Sequence, residues 1–79
     1  MYERHIPLSL LPLGALGEVK RLIVDGGIRR RMLDLGLING TRVQAVNKSP
    51  FGDPKAYYFR GVVIALRNEE ATGIIVEKL

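Results

Sequence analysis

One stretch, residues 27–61, limits what this chain can become more than any other. It opens on Gly-Ile-Arg-Arg-Arg-Met-Leu-Asp-Leu-Gly, passes through Leu-Ile-Asn-Gly, and runs into an alternating segment over residues 41–48. The loop Ser-Pro-Phe-Gly-Asp-Pro-Lys follows, then Ala-Tyr-Tyr-Phe-Arg-Gly. Ile28, Met32 and Leu35 recur at helical spacing and fall within roughly an 80° stripe at about 100° per residue. Asp25 stands where an N-cap belongs. Gly36 stands where a left-handed C-cap belongs, a conformation glycine adopts without a Cβ clash. Asn39-Gly40 is a turn dipeptide directly before a β-run. The pattern predicts a helix over 27–36, a turn, a strand, a stiff loop and a second strand.

The rest of the chain adds short strands. Residues 17–23 read as the first, with imperfect alternation. Residues 41–48 are the second, with Thr41, Val43, Ala45 and Asn47 on one face and Val46 on the other. Residues 56–60 form an aromatic-rich third strand. Gly61 breaks it, and the apolar run 62–66 reads as a central strand. Residues 68–71 suit a single helical turn, and 73–79 form the last strand. Pro7 and Pro12 bracket Leu-Ser-Leu-Leu, one turn of helix with Pro7 in its first turn. Its leucines are expected to cover one end of the core. Five short strands with tight connections predict a small barrel, an arrangement that leaves no open sheet edge. The expected class is mainly β: an SH3-like β-barrel with one inserted helix and a short N-terminal helical turn.

Length and composition bound the function. Seventy-nine residues make one domain, 1–79, with a modest core to which 47% apolar residues contribute. The absence of cysteine excludes disulfides and thiolate metal sites and fits a reducing compartment. No apolar run approaches the roughly 18 residues of a membrane helix. Met-Tyr-Glu-Arg-His lacks the order of a signal peptide. A cytoplasmic protein is expected. The net charge is +4, and only Arg29-Arg30-Arg31 clusters. A nucleic-acid binder would concentrate basic charge on one element, so no nucleic-acid partner is expected.

Catalysis requires a nucleophile, an acid–base pair or a held metal. The chain has one histidine, His5, and two serines, Ser9 and Ser49, neither in a nucleophile elbow. No phosphate-loop pattern occurs. Glu69 and Glu70 are chain neighbours that seldom face one another. No catalytic residue is assigned and an enzyme is not expected. Glu3 and His5 share one side of an extended segment at i,i+2 and are weak metal candidates, because two ligands fall short of an ordinary divalent site. No cofactor is expected beyond such a weak divalent ion.

Residues 49–55 are more telling. Pro50 and Pro54 stiffen both ends, Gly52 permits a turn, and Asp53 can bond backbone. Phe51 sits at the tip, either as a lid folded onto the core or as a side chain presented to a partner. Leu33 lies off the helical stripe, either against another part of the fold or exposed. Arg30 and Asp34 lie opposite the stripe at i,i+4 and can pair.

The series Arg31-Met32-Leu33-Asp34-Leu35-Gly36-Leu37 with Gly40, the Pro50-Phe51-Gly52-Asp53-Pro54 loop, Gly61, and Leu66-Arg67-Asn68-Glu69-Glu70-Ala71 together resemble the FeoA family. These are small ferrous iron transport A proteins, and the resemblance spans essentially the whole chain. It implies an SH3-like barrel acting as a non-enzymatic, regulatory accessory of FeoB, the membrane iron transporter that carries a cytosolic GTPase domain. Attachment to the membrane would then run only through that partner. The same domain type occurs fused to metal-dependent repressors, which implies the alternative of a transition-metal-binding or metal-sensing regulatory domain. The chain departs from an iron-related family in showing no ligand set, which points to iron handling through the partner. On the reading of the residues themselves, the partner-binding candidates are Phe51, Asp53, Arg29, Arg30 and Leu33. Oligomeric state is left open.

Overall fold

The computed structural model describes residues 4–79. In chain order these form β1 (His5–Pro7), a 3-10 turn (Leu8–Leu10), β2 (Leu16–Leu22), α1 (Gly26–Leu35), β3 (Arg42–Lys48), β4 (Lys55–Phe59), β5 (Val62–Leu66), α2 (Asn68–Ala71) and β6 (Ile74–Lys78). The strands make one antiparallel sheet in the order β1-β6-β2-β3-β4-β5. The mainly β class and the single long helix agree with the sequence pattern. The strand β1 lies in a segment for which only a helical turn was expected.

The core is built from alternation. Val43 and Ala45 of β3, Tyr57 and Phe59 of β4, Val19 of β2 and Val76 of β6 point inward and are buried. Leu8 and Leu11 complete it from the N-terminal segment, while Leu10 and Leu13 face outward. Only part of the expected leucine cover is therefore used. A register shift between Ala45 and Asn47, opposite Tyr57 and Ala56, turns Asn47 to the outer face. Continuous alternation would have kept Asn47 inward; a bulge inserts one residue and reverses the faces beyond it.

The hydrogen-bonded ladder stays open, with β1 and β5 as its outer strands. The 3-10 turn after β1 brings the two ends together. Lys55 Nζ donates to the Ser9 carbonyl at 2.6 Å, and the Ser9 and Thr72 hydroxyls are 3.1 Å apart. Leu8 and Leu11 lie beneath these contacts with Leu66 in the core. Apolar packing and polar clasps thus join the ends where the ladder does not.

The run 62–66 is not central. It is an outer strand, with Val62 and Val63 exposed. Central strands of sheets covered on both faces read as unbroken apolar runs, but so does any strand that uses apolar residues on an uncovered face. The β4–β5 connection is a two-residue turn, Arg60-Gly61, with positive φ at both residues as a type I′ turn requires.

Helix α1 starts and stops as its sequence indicates, with one difference at each level of detail. Asp25 occupies the N-cap position in extended conformation, yet its side chain makes no capping bond. Gly36 is left-handed at φ 95°, and its N–H bonds the Leu33 carbonyl at 3.0 Å. Of the apolar stripe, Met32 is buried, Leu35 half-buried and Ile28 exposed. The helix therefore rests on the sheet by its C-terminal half, and its first turn stands clear.

Candidate functional site

Phe51 is 96% exposed. It is presented, and the lid alternative does not describe this loop. The presentation follows from how the loop is closed. Ser49 N–H donates to the Pro54 carbonyl at 3.0 Å, Gly52 N–H to the Ser49 carbonyl at 2.9 Å, and Ser49 Oγ to the Asp53 carbonyl at 2.8 Å. The Asp53–Pro54 peptide is cis. The inward-facing polar groups satisfy one another, so the aromatic ring at the tip points to solvent.

Asp53 has a different task from Phe51. Its Oδ1 accepts the Asn68 N–H at 2.9 Å, at the start of α2. Glu70 Oε1 accepts the neighbouring Arg67 N–H at 3.0 Å. Two otherwise unpartnered donors of a four-residue helix are thereby satisfied. Asp53 positions the loop against α2, and its carboxylate is engaged within the domain.

On α1, Arg29, Arg30, Leu33 and Asp34, with Gly26, line a surface depression of ≈ 350 Å³. Leu33 is 41% exposed, so the exposed alternative describes it. Arg29 Nη1 donates to the Leu22 carbonyl at 3.3 Å. The expected Arg30–Asp34 pair is not among the ion pairs of the described residues, which join Lys20 to Glu18 and Glu77, and Arg31 to Glu70. Arg30 and Asp34 both face the depression instead.

The structure brings Arg29, Arg30 and Leu33 onto one surface, which Phe51 does not line. The Phe51 loop caps one end of β4, while the Arg60-Gly61 turn at the other end lies against the C-terminus of α1. Five residues of strand put about 17 Å between those ends. Helix α2 links the two regions, because Asn68 bonds Asp53 and Glu70 pairs with Arg31.

Glu3 lies outside the described residues. His5 is half-buried at the start of β1, opposite Glu77, which is itself opposite Glu18 on β2. The Lys20 ammonium sits between the two carboxylates, 3.1 Å from Glu18 and 3.2 Å from Glu77. Bonds to Glu18 and then Glu77 hold Lys20 above the ordinary lysine range. The charges that would draw a cation to His5 are thus already shared by a lysine, which offsets one of the two. Among the described residues no group of three or more His, Cys, Asp or Glu side chains converges. No helix of the described residues is long and apolar enough to cross a membrane.

Sequence reasoning missed one surface. Leu16, Gln44, Tyr58 and Val63 are successive cross-strand partners and share the outer face of β2, β3, β4 and β5. Leu16, Tyr58 and Val63 are each exposed by 44% or more. The signal was present in the two-residue turn, which pairs 55–59 with 62–66 residue for residue, but the position of that hairpin at the sheet's end was not.

A family model described as the FeoA domain matches residues 6–78. A Porphyromonas gingivalis Fe(2+) transport protein A/Fe(2+) transporter FeoB fusion protein is 33% identical over 70 residues, which are 89% of this chain and 8% of that protein. The chain therefore spans a small part of the curated relative it matches. The solution structure of a FeoA-like protein from Clostridium acetobutylicum superposes with a TM-score of 0.89 at 33% identity, covering 96% of this chain and 88% of that one. The crystal structure of Stenotrophomonas maltophilia FeoA complexed with zinc, described as a procaryotic SH3 domain protein, gives 0.79 at 32% identity over 89% and 87%. The curled sheet with its inserted helix is accordingly SH3-like.

Proposed function

Since the chain belongs to the FeoA domain family, a family associated with ferrous iron transport, we propose that it is a non-enzymatic cytosolic accessory of iron uptake. It acts by binding the cytosolic part of a FeoB-type transporter. The observation that carries this reading is Phe51, an almost fully exposed aromatic on a loop closed by its own hydrogen bonds. A loop already ordered loses little entropy on docking, and aromatic and arginine side chains are favoured anchors. The fusion of the corresponding domain to FeoB in the P. gingivalis protein supports the choice of partner. Arg29, Arg30 and Leu33 on α1 supply a second contact, with Arg30 facing an acidic surface. Asp53 serves the site by holding the loop on α2.

The test is binding of the purified chain to the transporter's cytosolic domain. Phe51→Ala is expected to stay folded and weaken binding by about 2 kcal/mol, roughly thirtyfold. Unchanged affinity in a folded Phe51→Ala, Arg30→Glu double variant would overturn the reading.

A further inference from the structure

Strand β5 carries an unused edge. In a hairpin with a two-residue turn, the pair flanking the turn exchanges hydrogen bonds, and every second pair after it does the same. Here those pairs are Phe59–Val62, Tyr57–Ile64 and Lys55–Leu66. The N–H and C=O groups of Val63 and Ala65 therefore point away from β4, and no described strand lies on that side. Edges of this kind are normally protected by charge, proline or a cover. The five residues Val-Val-Ile-Ala-Leu contain neither charge nor proline, and Val62, Val63 and Ala65 are exposed. The apolar row of Tyr58 and Val63 leads to this edge across the outer face.

We propose that β5 is a strand-accepting edge whose occupant is an extended segment with apolar residues at alternate positions and acidic residues at its ends. Backbone bonds to Val63 and Ala65 supply the pairing, and the Tyr58–Val63 surface receives the alternate side chains. The acidic ends follow from charge. Arg60 and Arg67 flank the strand, both are exposed, and neither is in an ion pair among the described residues; the Arg60 side chain lies over Gly36 at the end of α1, which leaves Arg67 as the cation at the strand's free end. The whole chain carries +4. The same arginines disfavour a second copy as occupant. The antiparallel register that satisfies Val63 and Ala65 of both copies sets Arg67 of one beside Gly61 and Arg60 of the other, and like charges across a strand pair are destabilising. This edge is distinct from the Phe51 loop and the α1 surface, and its role does not depend on the transporter reading.

The probe is a synthetic peptide of alternating valine and threonine with glutamates at both ends, titrated into isotope-labelled full-length chain. Saturation is expected to slow hydrogen exchange at the Val63 and Ala65 amides. A peptide with the same centre and lysine ends is expected to bind at least about tenfold more weakly, equivalent to 1.4 kcal/mol. Ala65→Pro removes an outward N–H and should abolish binding. Arg67→Glu, which leaves the strand's backbone intact, should weaken the acidic peptide by a similar tenfold and so covers the case in which the proline variant fails to fold. Unprotected Val63 and Ala65 amides, equal affinity for both peptides, or protection that arises from dimerisation of the chain alone would each overturn the proposal.

Discussion

The Arg60 side chain lies across Gly36: a Cβ built on that glycine would stand 2.9 Å from Arg60 Cδ and 3.3 Å from Nε. The contact joins the type I′ turn between β4 and β5 to the C-terminus of α1. The arginine that makes it occupies a turn position with φ 53°, where asparagine, aspartate or glycine is usual. Its guanidinium lies near the carbonyl end of the helix, where positive charge is favoured.

Gly36→Ala should destabilise the domain by roughly 1–3 kcal/mol through the positive φ alone, with an added penalty from Arg60. Gly40→Ala is the comparison, since Gly40 has the same φ of 95° and open space around it. Denaturant titration of both, repeated in an Arg60→Ala background, isolates the contact. The excess cost at Gly36 is expected to disappear when Arg60 is truncated.

Phe51 and Phe59 should behave oppositely. Phe51→Ala is expected within about 0.5 kcal/mol of the parent, as for surface substitutions generally. Phe59 is 1% exposed, and Phe59→Ala should cost about 3–5 kcal/mol. Equal losses in chemical unfolding would show that Phe51 folds back onto the core in solution.

Removing the Asp53 carboxylate should loosen α2. Asp53→Ala is expected to cost about 1 kcal/mol, the scale of a lost N-terminal capping bond, and to speed hydrogen exchange at the Asn68 amide. Asp53→Asn keeps an acceptor oxygen and should recover most of the loss.

Alkaline pH should weaken the fold through Tyr57. Burial, with Asp53 adding to it, pushes this phenol up from 10.0 to about 12. The unfolded chain therefore releases the proton first as pH rises, and stability falls with each step between the two values. Below pH 10 this contribution is fully present. Thermal melts from pH 9 to 12 should show a falling Tm that Tyr57→Phe removes, apart from the response common to the other ionising groups.

Local instructions were legible in the chain itself. The Gly36 cap, the Asn39-Gly40 turn, the break at Gly61 and the alternation through Val43 and Ala45 each act over a few residues, so neighbours in sequence suffice to specify them. The motif series likewise carries the family resemblance in sequence alone. Tertiary structure decided what depends on distant partners. Whether Phe51 is a lid or a tip turned on the hydrogen bonds that close its loop and on Asp53 reaching Asn68. Whether 62–66 is central or outer turned on strand order, which no local pattern encodes, because an apolar strand reads the same with one neighbour or two. Ile28 belongs to the helical stripe by periodicity yet stays exposed, since burial along α1 is confined to Met32 and Leu35 in its C-terminal half. Burial is a property of the assembled surfaces, and the helical period only selects which side chains are offered to it.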